Sequence, residues 1–500
     1  MKAASPVTLP YATLIPLERH GPNSLSQQVT SGFIHLIQQG LLPAGAKLPG
    51  TRSLAGLLGL HRQTVVVAFD ELVAQGWIEQ LASKGARVSS SIPVIRPAAL
   101  SAGTARRFAP RAGFAYEPVP PYPTTVRAPY VPLVLDAGSP DSRLAPLASL
   151  ARKYRAVCLR ASQRRGLGYA DPNGSGALRQ QLAQYLQGTR GLPAQVENVF
   201  VTRGSSMSLY LLLRLLLRPG DTVVVGERSY HGADYACAQQ GARLERVRVD
   251  THGLNLEEVE AVCRRQAVRL LYVTPHHHYP TTVMLAADRR VRLLQLAEQY
   301  DFIILEDDYD YDFHYDGAPI LPLASADRHG RVLYLGSLSK VLAPAFRVGY
   351  VVAPPDIIEA LGQLRRHIDH QGDAVLEQTI AELFAEGELG AHLKRARYHY
   401  QQRRDVFCTL LRQQAGSWLT FDAPAGGMAV WVRFGNEVHL NDLSARCRLL
   451  GLGIGDGRLF QAPTETRAHH LRLGFASLTP HELTHSVAVM QQALSTLYSS

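Results

Sequence analysis

The chain reads as an α/β protein preceded by a small helical unit that closes in a β-hairpin. Three features of the sequence predict this. Nine prolines, at positions 93, 97, 110, 118, 120, 121, 123, 129 and 132, crowd between Ile92 and Pro132. Each lacks an amide donor, so neither helix nor sheet interiors tolerate that density, and residues 91–132 are expected to form a partly extended linker. Before it, apolar residues recur at three- and four-residue spacing in a unit of residues 1–90. After it, over residues 133–500, short apolar runs alternate with helical patterns.

Bulk properties narrow the class. A chain of 500 residues is too long for one core, and 46% hydrophobic with 19% charged residues is ordinary globular composition. The most apolar segment, residues 209–217, is short and broken by Arg214, so no membrane span is expected. Pro6 and Pro10 interrupt the N-terminal apolar stretch, which does not fit a secretory signal. Five scattered cysteines without a CxxC pair suit reduced thiols in a cytoplasm. The net charge of +10 favours a polyanionic partner.

In the first unit, Leu25, Val29, Phe33, Leu36 and Ile37 mark one helix face. Thr51 is placed to cap a second helix carrying Leu54, Leu57 and Leu58, which Gly59 ends. A third helix runs from about His61 to Ala74 and buries Val65, Phe69 and Leu72. Residues 77–80 and 86–89 then read as a hairpin. Helix, helix, turn, helix, hairpin is the order of a winged helix-turn-helix. Its recognition helix would open with Arg62, Gln63 and Thr64, with Arg52 at the start of the helix before it. Arginine pairs with guanine or phosphate and glutamine with adenine, so double-stranded DNA is the expected partner. Lys84, at the hairpin tip, is placed to reach the backbone or minor groove.

In the second unit, residues 199–202, 222–225, 270–273, 302–305 and 332–335 read as buried strands of a sheet with a substantial parallel component. Functional residues of such sheets gather at strand ends. Lys340 follows one strand, flanked by Ser337 and, seven residues on, Arg347. An amine beside a hydroxyl and a guanidinium suits an aldehyde cofactor with a phosphate tail. The acidic segment Glu306-Asp307-Asp308 directly follows another strand, and a carboxylate there can pair with a pyridinium nitrogen. Tyr309, directly after it, can hydrogen-bond the ring's 3′-oxygen. Ser205 and Ser206 open a helix after a third strand and can cradle the phosphate.

Two metal readings fail on spacing. Asp308, Asp310 and Asp312 alternate as in a calcium loop, but Phe313 stands where the turn glycine belongs. In His276-His277-His278, an extended chain would let only His276 and His278 cooperate, and no carboxylate cluster adjoins them in sequence. No metal is expected.

Residues 48–55 (LPGTRSLA) and 58–65 (LGLHRQTV), with Gly76 and Gly85, resemble the GntR-type winged helix over about residues 20–90. The resemblance places Arg52, Arg62 and Thr64 on DNA-contacting positions. It also notes His61 where the family usually has Ser and Phe69 where it has Tyr, the latter a core swap. From about Leu133 onward, the Lys340, Asp307-Tyr309 and Ser205-Ser206 segments, with residues 168–174 (GYADPNG) and 219–221 (PGD), are similar to the aminotransferase-like half of the MocR subfamily of GntR regulators. The fold that this implies is the fold-type I α/β domain of aminotransferases, and the cofactor is pyridoxal 5′-phosphate.

By the resemblance, Lys340 carries the cofactor as a Schiff base, Asp307 partners the pyridinium and Tyr309 the 3′-oxygen. It places His277 beside that oxygen and Tyr230 over the ring. Arg472 falls where aminotransferases bind a substrate carboxylate, and Arg458 is a second candidate. The implied function is transcription regulation by a homodimer, often a domain-swapped one in that family. Its signal is pyridoxal phosphate itself or an amino compound forming an external aldimine. An active aminotransferase with a DNA-binding appendage is the alternative.

Overall fold

The structure, a computed structural model, describes residues 9–19, 23–81, 85–91, 109–116, 118, 131–163, 167–462 and 464–498. It divides into two compact units, Met1–Val119 and Pro120–Ser500. Most of the proline-rich stretch lies outside the described residues.

The first unit holds α1 (Leu25–Gln38), α2 (Thr51–Leu58), α3 (Arg62–Ala74) and the antiparallel strands β1 (Ile78–Leu81) and β2 (Gly85–Val88). Ser24 accepts from the Gln27 amide while the Gln27 side chain returns to the Ser24 amide, a reciprocal cap that starts α1. Val29, Phe33, Leu36 and Ile37 turn inward as the spacing predicts. Phe33 meets Phe69 edge-on at 5.6 Å and Tyr11 stacked at 5.7 Å, and Phe69 lies in the core as expected. Truncating such a ring to alanine costs about 3–5 kcal/mol.

Two local expectations are corrected. Gly50 is the cap of α2, without a side-chain bond, and Thr51 is its first helical residue. Leu57 is 51% exposed, and Ala55 takes the inward place. At 100° per residue, Leu54, Leu58 and Ala55 span one 100° arc while Leu57 falls 60° outside it. Lys84 lies outside the described residues.

The second unit is built on a seven-stranded sheet. Its strands are β3 (Val199–Thr202), β4 (Thr222–Gly226), β5 (Arg243–Val247), β6 (Leu270–Val273), β7 (Ile303–Asp308), β8 (Val332–Ser337) and β9 (Gly349–Val352). Their order is β3-β9-β8-β7-β6-β4-β5. All run parallel except β9, which is antiparallel to both β8 and β3. All five expected runs are strands, and β5 and β9 complete the sheet. Strands β3, β4 and β6 are buried along their whole length, which is why they read as continuous apolar runs rather than alternating ones. Towards the C-terminus, β10 (Leu419–Thr420), β11 (Ala429–Phe434) and β12 (His470–Gly474) form a second, antiparallel sheet. Among the described residues no helix is long and apolar enough to cross a membrane.

Candidate cofactor site

Parallel strands deliver their carboxyl ends to one edge of the sheet, and the candidate residues collect there. Register pairs Asp308 with Gly336, Ser337 with Gly349 and Gly349 with Thr202, so the ends of β7, β8 and β3 lie side by side. Helix α4 (Ser205–Leu216) starts directly after β3. Gly204, at φ +85°, makes that turn, and Gly349 packs so closely that a Cβ on it would stand 2.8 Å from the Gly204 backbone. Both positions therefore exclude a side chain. The open N-terminus of α4, with Ser205 and Ser206, faces Arg347, whose guanidinium lies where a Cβ on Gly204 would meet it at 2.6 Å. Ser337 Oγ accepts from the Ser339 amide at 3.1 Å.

Lys340 donates its Nζ to the Gly138 carbonyl at 2.6 Å. Burial lowers its pKa, opposed by the attraction of Asp136 and Asp310. Asp307 is buried at the end of β7 and accepts from the Tyr272 hydroxyl through Oδ2 at 2.8 Å. Its Oδ1 is buried with no partner. Burial pushes the carboxyl up to about 7, the Tyr272 bond opposing and Asp308 adding to the rise.

Arg472 is buried on β12 and reaches across from the second sheet. Its Nε meets the Ala137 carbonyl at 2.9 Å, Nη1 the Pro280 carbonyl at 2.9 Å and Nη2 the Tyr309 hydroxyl at 3.2 Å. Tyr309 donates that hydroxyl to the His277 carbonyl at 2.9 Å. Tyr230 caps the helix His231–Gln239 and meets the Tyr279 ring edge-on at 5.4 Å.

His277 meets Tyr309 through its backbone carbonyl, not its ring, and its Nδ1 pairs with Asp310 Oδ1 at 2.8 Å. The chain bends at His276 and His277 instead of staying extended. As a result, His276 packs with its neighbour His277, ring centroids 4.4 Å apart, while His278 turns to Thr281. Arg458 is exposed and held by Asp456 at 2.6 Å.

Three participants are absent from the sequence reading. Tyr272 was legible only as strand core, because its hydroxyl partner is set by the pairing of β6 with β7. Tyr279 lies under the Arg472 guanidinium, 5.1 Å from its centroid, and 6.3 Å from Tyr309. The third is the Asp136–Gly138 turn, where Asp136 Oδ1 accepts from the amides of Gly138 and Ser139. No local motif marks it.

In the first unit, α3 presents Arg62 and Gln63 to solvent with Thr64 half-buried, and Arg52 is exposed on α2. His61 caps α3, its Nδ1 accepting from the Gln63 amide at 3.3 Å. The imidazole thus takes over a job that a serine hydroxyl can do.

Fold and site together define a class: an α/β domain of aminotransferase architecture joined to a winged helix-turn-helix. The model of the family "Aminotransferase class I and II" matches residues 133–490, and that of "Bacterial regulatory proteins, gntR family" matches residues 25–88. The chain is 29% identical over 501 residues to the probable rhizopine catabolism regulatory protein MocR of Rhizobium meliloti, covering 97% of each. It is 30% identical over 481 residues to the HTH-type transcriptional regulator TauR of Rhodobacter capsulatus, covering 94% of this chain and 96% of TauR. The large unit is similar to the solved structure of LysN, the α-aminoadipate aminotransferase of Thermus thermophilus complexed with N-(5′-phosphopyridoxyl)-L-leucine. There the TM-score is 0.68 at 28% identity, over 73% of this chain and 93% of LysN. The chain belongs to the MocR-type regulators, which join a GntR-type DNA-binding domain to a domain of the aminotransferase class I and II family.

That family depends on pyridoxal 5′-phosphate, and the donor set here fits it. A buried carboxylate oxygen without a partner suits a protonated ring nitrogen. A helix N-terminus beside Arg347 suits a phosphate, and a lysine with a depressed pKa suits an aldehyde.

Proposed function

We propose that this chain is a transcription regulator whose large unit senses pyridoxal 5′-phosphate or a small amino compound and whose first unit binds double-stranded DNA. The observation that carries the sensing half is the unpartnered Oδ1 of Asp307, buried at the carboxyl end of β7. Leaving a buried carboxylate oxygen unsatisfied costs about 1–3 kcal/mol, which a cationic ring nitrogen would recover.

Pyridoxal 5′-phosphate supplies a reversible condensation with primary amines and a ring that draws electrons. In this reading Lys340 offers its amine, and Asp307 holds the proton on the ring nitrogen. Tyr309 hydrogen-bonds the 3′-oxygen and Tyr230 stacks on the ring. Ser205, Ser206, Ser337 and Arg347 bind the phosphate. Arg472 binds a carboxylate on the effector while steadying Tyr309. His277 positions Tyr309 through its carbonyl. Arg52, Arg62, Gln63, Thr64 and Lys84 contact DNA. An effector preferring one arrangement of the protein shifts DNA affinity by that preference.

The proposal includes a cytoplasmic homodimer, in which the length of the 91–132 linker permits each first unit to exchange onto the partner's large unit. Exposed Leu167 and Tyr169 are the kind of apolar surface a second copy covers. Lysine, aspartate, tyrosine and arginine together also equip the chain for one half of an amino-group exchange. Footprinting on genomic DNA with and without cofactor and amine tests the reading. Protection of a defined sequence that alters with the ligand supports it; sustained turnover with a keto acid and no sequence-selective protection would replace it with an enzyme.

A further inference from the structure

Behind the Tyr309–His277 hydrogen bond, three imidazoles meet in the interior of the large unit. His276 and His277 follow the carboxyl end of β6, and His314 follows the short helical turn Tyr311–Phe313. Their exposures are 3%, 1% and 5%. A nitrogen from each lies within 4.8 Å of the other two. Nε2 of His277, Nδ1 of His314 and both ring nitrogens of His276 are buried with no hydrogen-bond partner. Buried polar groups are nearly always satisfied, so four orphan nitrogens on three adjoining rings need an explanation.

The partners that do exist point the same way. His277 Nδ1 pairs with Asp310 Oδ1 at 2.8 Å, and His314 Nε2 with the Asp316 carbonyl at 2.8 Å. A hydrogen on each of these nitrogens leaves the lone pair on the other, which in both residues is the orphan. Metal-bound histidines are oriented in this manner, by a carboxylate or carbonyl on the far nitrogen. Packing explains the ring faces, for His276 lies over Tyr311 at 4.6 Å, but not the nitrogens in the ring plane. The nearby cations are occupied: Arg290 by the carbonyls of Leu285, Leu321 and Pro275, and Arg190 by Asp312 and Tyr334.

We propose that His276, His277 and His314 bind one divalent late first-row cation, with zinc the best match. Three neutral imidazoles suit that metal class. Zinc–nitrogen bonds of 2.0–2.1 Å set ligand nitrogens about 3.3 Å apart, so closure needs movements of roughly 1 Å. The ion would tie the segment after β6 to the segment after β7. Because the His277 carbonyl receives the Tyr309 hydroxyl, it would also brace the floor of the cofactor site. The proposal stands on these three residues and does not require the sensing reading.

The test uses untagged full-length protein with its cofactor, stripped with chelator, loaded with zinc, desalted and measured for metal content and melting temperature. Expected are one zinc per chain and a raised melting temperature, both lost in His276→Leu and His314→Leu and both kept in His485→Ala, an exposed histidine. The loss should exceed the roughly 10–100-fold in affinity that removing an outer partner costs. Circular dichroism verifies that the leucine variants fold. If they do not, cobalt loading of the wild type decides: intense bands of a low-coordinate nitrogen site support the proposal, and the pale spectrum of hydrated cobalt overturns it. Failure of the wild type to keep zinc, or equal retention by the leucine variants, also overturns it.

Discussion

Tyr272 and Asp307 face each other across adjacent parallel strands, the phenol donating to Oδ2 at 2.8 Å and leaving Oδ1 buried without a partner. The pair fixes the carboxylate's orientation while reserving one oxygen for a positively charged group. Burial pushes the Asp307 pKa up to about 7.

A pH dependence follows. A carboxyl raised from its unfolded value to about 7 stabilises the cofactor-free fold fully below the unfolded pKa. That contribution is lost as pH rises from about 4 to about 7. Affinity for the cofactor should change in the opposite sense, increasing from about pH 6 to about pH 8 as Asp307 ionises. Glu306 and Asp308 titrate nearby, at about 7 and about 6, so the comparison must be with Asp307→Asn. Urea unfolding and cofactor titration at several pH values should show both slopes reduced in that variant.

Lys340→Ala should abolish the visible absorbance of protein-bound cofactor while leaving the far-ultraviolet circular dichroism unchanged. The variant loses the hydrogen bond from Lys340 to the Gly138 carbonyl, which the fold can spare. Absorption identical to wild type would remove the assignment of Lys340.

Arg472→Lys should weaken a carboxylate-bearing effector about tenfold or more, because a charge-assisted bond contributes about 1.5–3 kcal/mol and lysine cannot reproduce the planar fork. Calorimetric titration of the amine into loaded protein measures it. A small stability loss accompanies it, since Arg472 also holds the carbonyls of Ala137 and Pro280.

In the first unit, Arg62→Ala should weaken sequence-selective DNA binding by about 1–3 kcal/mol, read by fluorescence anisotropy across a salt series. His61→Ala removes the cap of α3 and should destabilise that unit by about 1 kcal/mol, read by thermal melting.

The sheet was legible because strands buried on both faces leave continuous apolar runs. β3 and β6 coincide with the runs at 199–202 and 270–273. β9 was not, since its residues 349–352 follow Arg347 so closely that they read as an extension of the phosphate segment. Site residues with their own local motif, such as Lys340 and Asp307, could be found by spacing. Tyr272, Tyr279 and Gly138 are recruited by strand pairing and by a turn more than 200 residues from Lys340, which no local pattern records. The pairing of His276 with His278 was misjudged because strand alternation was carried past Val273, where the strand ends and the chain bends. His314, and Asp310 beside His277, are remote in sequence and enter only through the fold.

Occupancy of the candidate cofactor site is expected to change how the α3 unit grips DNA. The direct measurement is the affinity of one footprinted sequence for wild type and Lys340→Ala, each with and without cofactor plus amine. The account predicts a shift of about fivefold or more in the wild type, within the range usual for allosteric coupling, and none in the variant. Equal affinities in all four conditions, with cofactor demonstrably bound to the wild type, would contradict it.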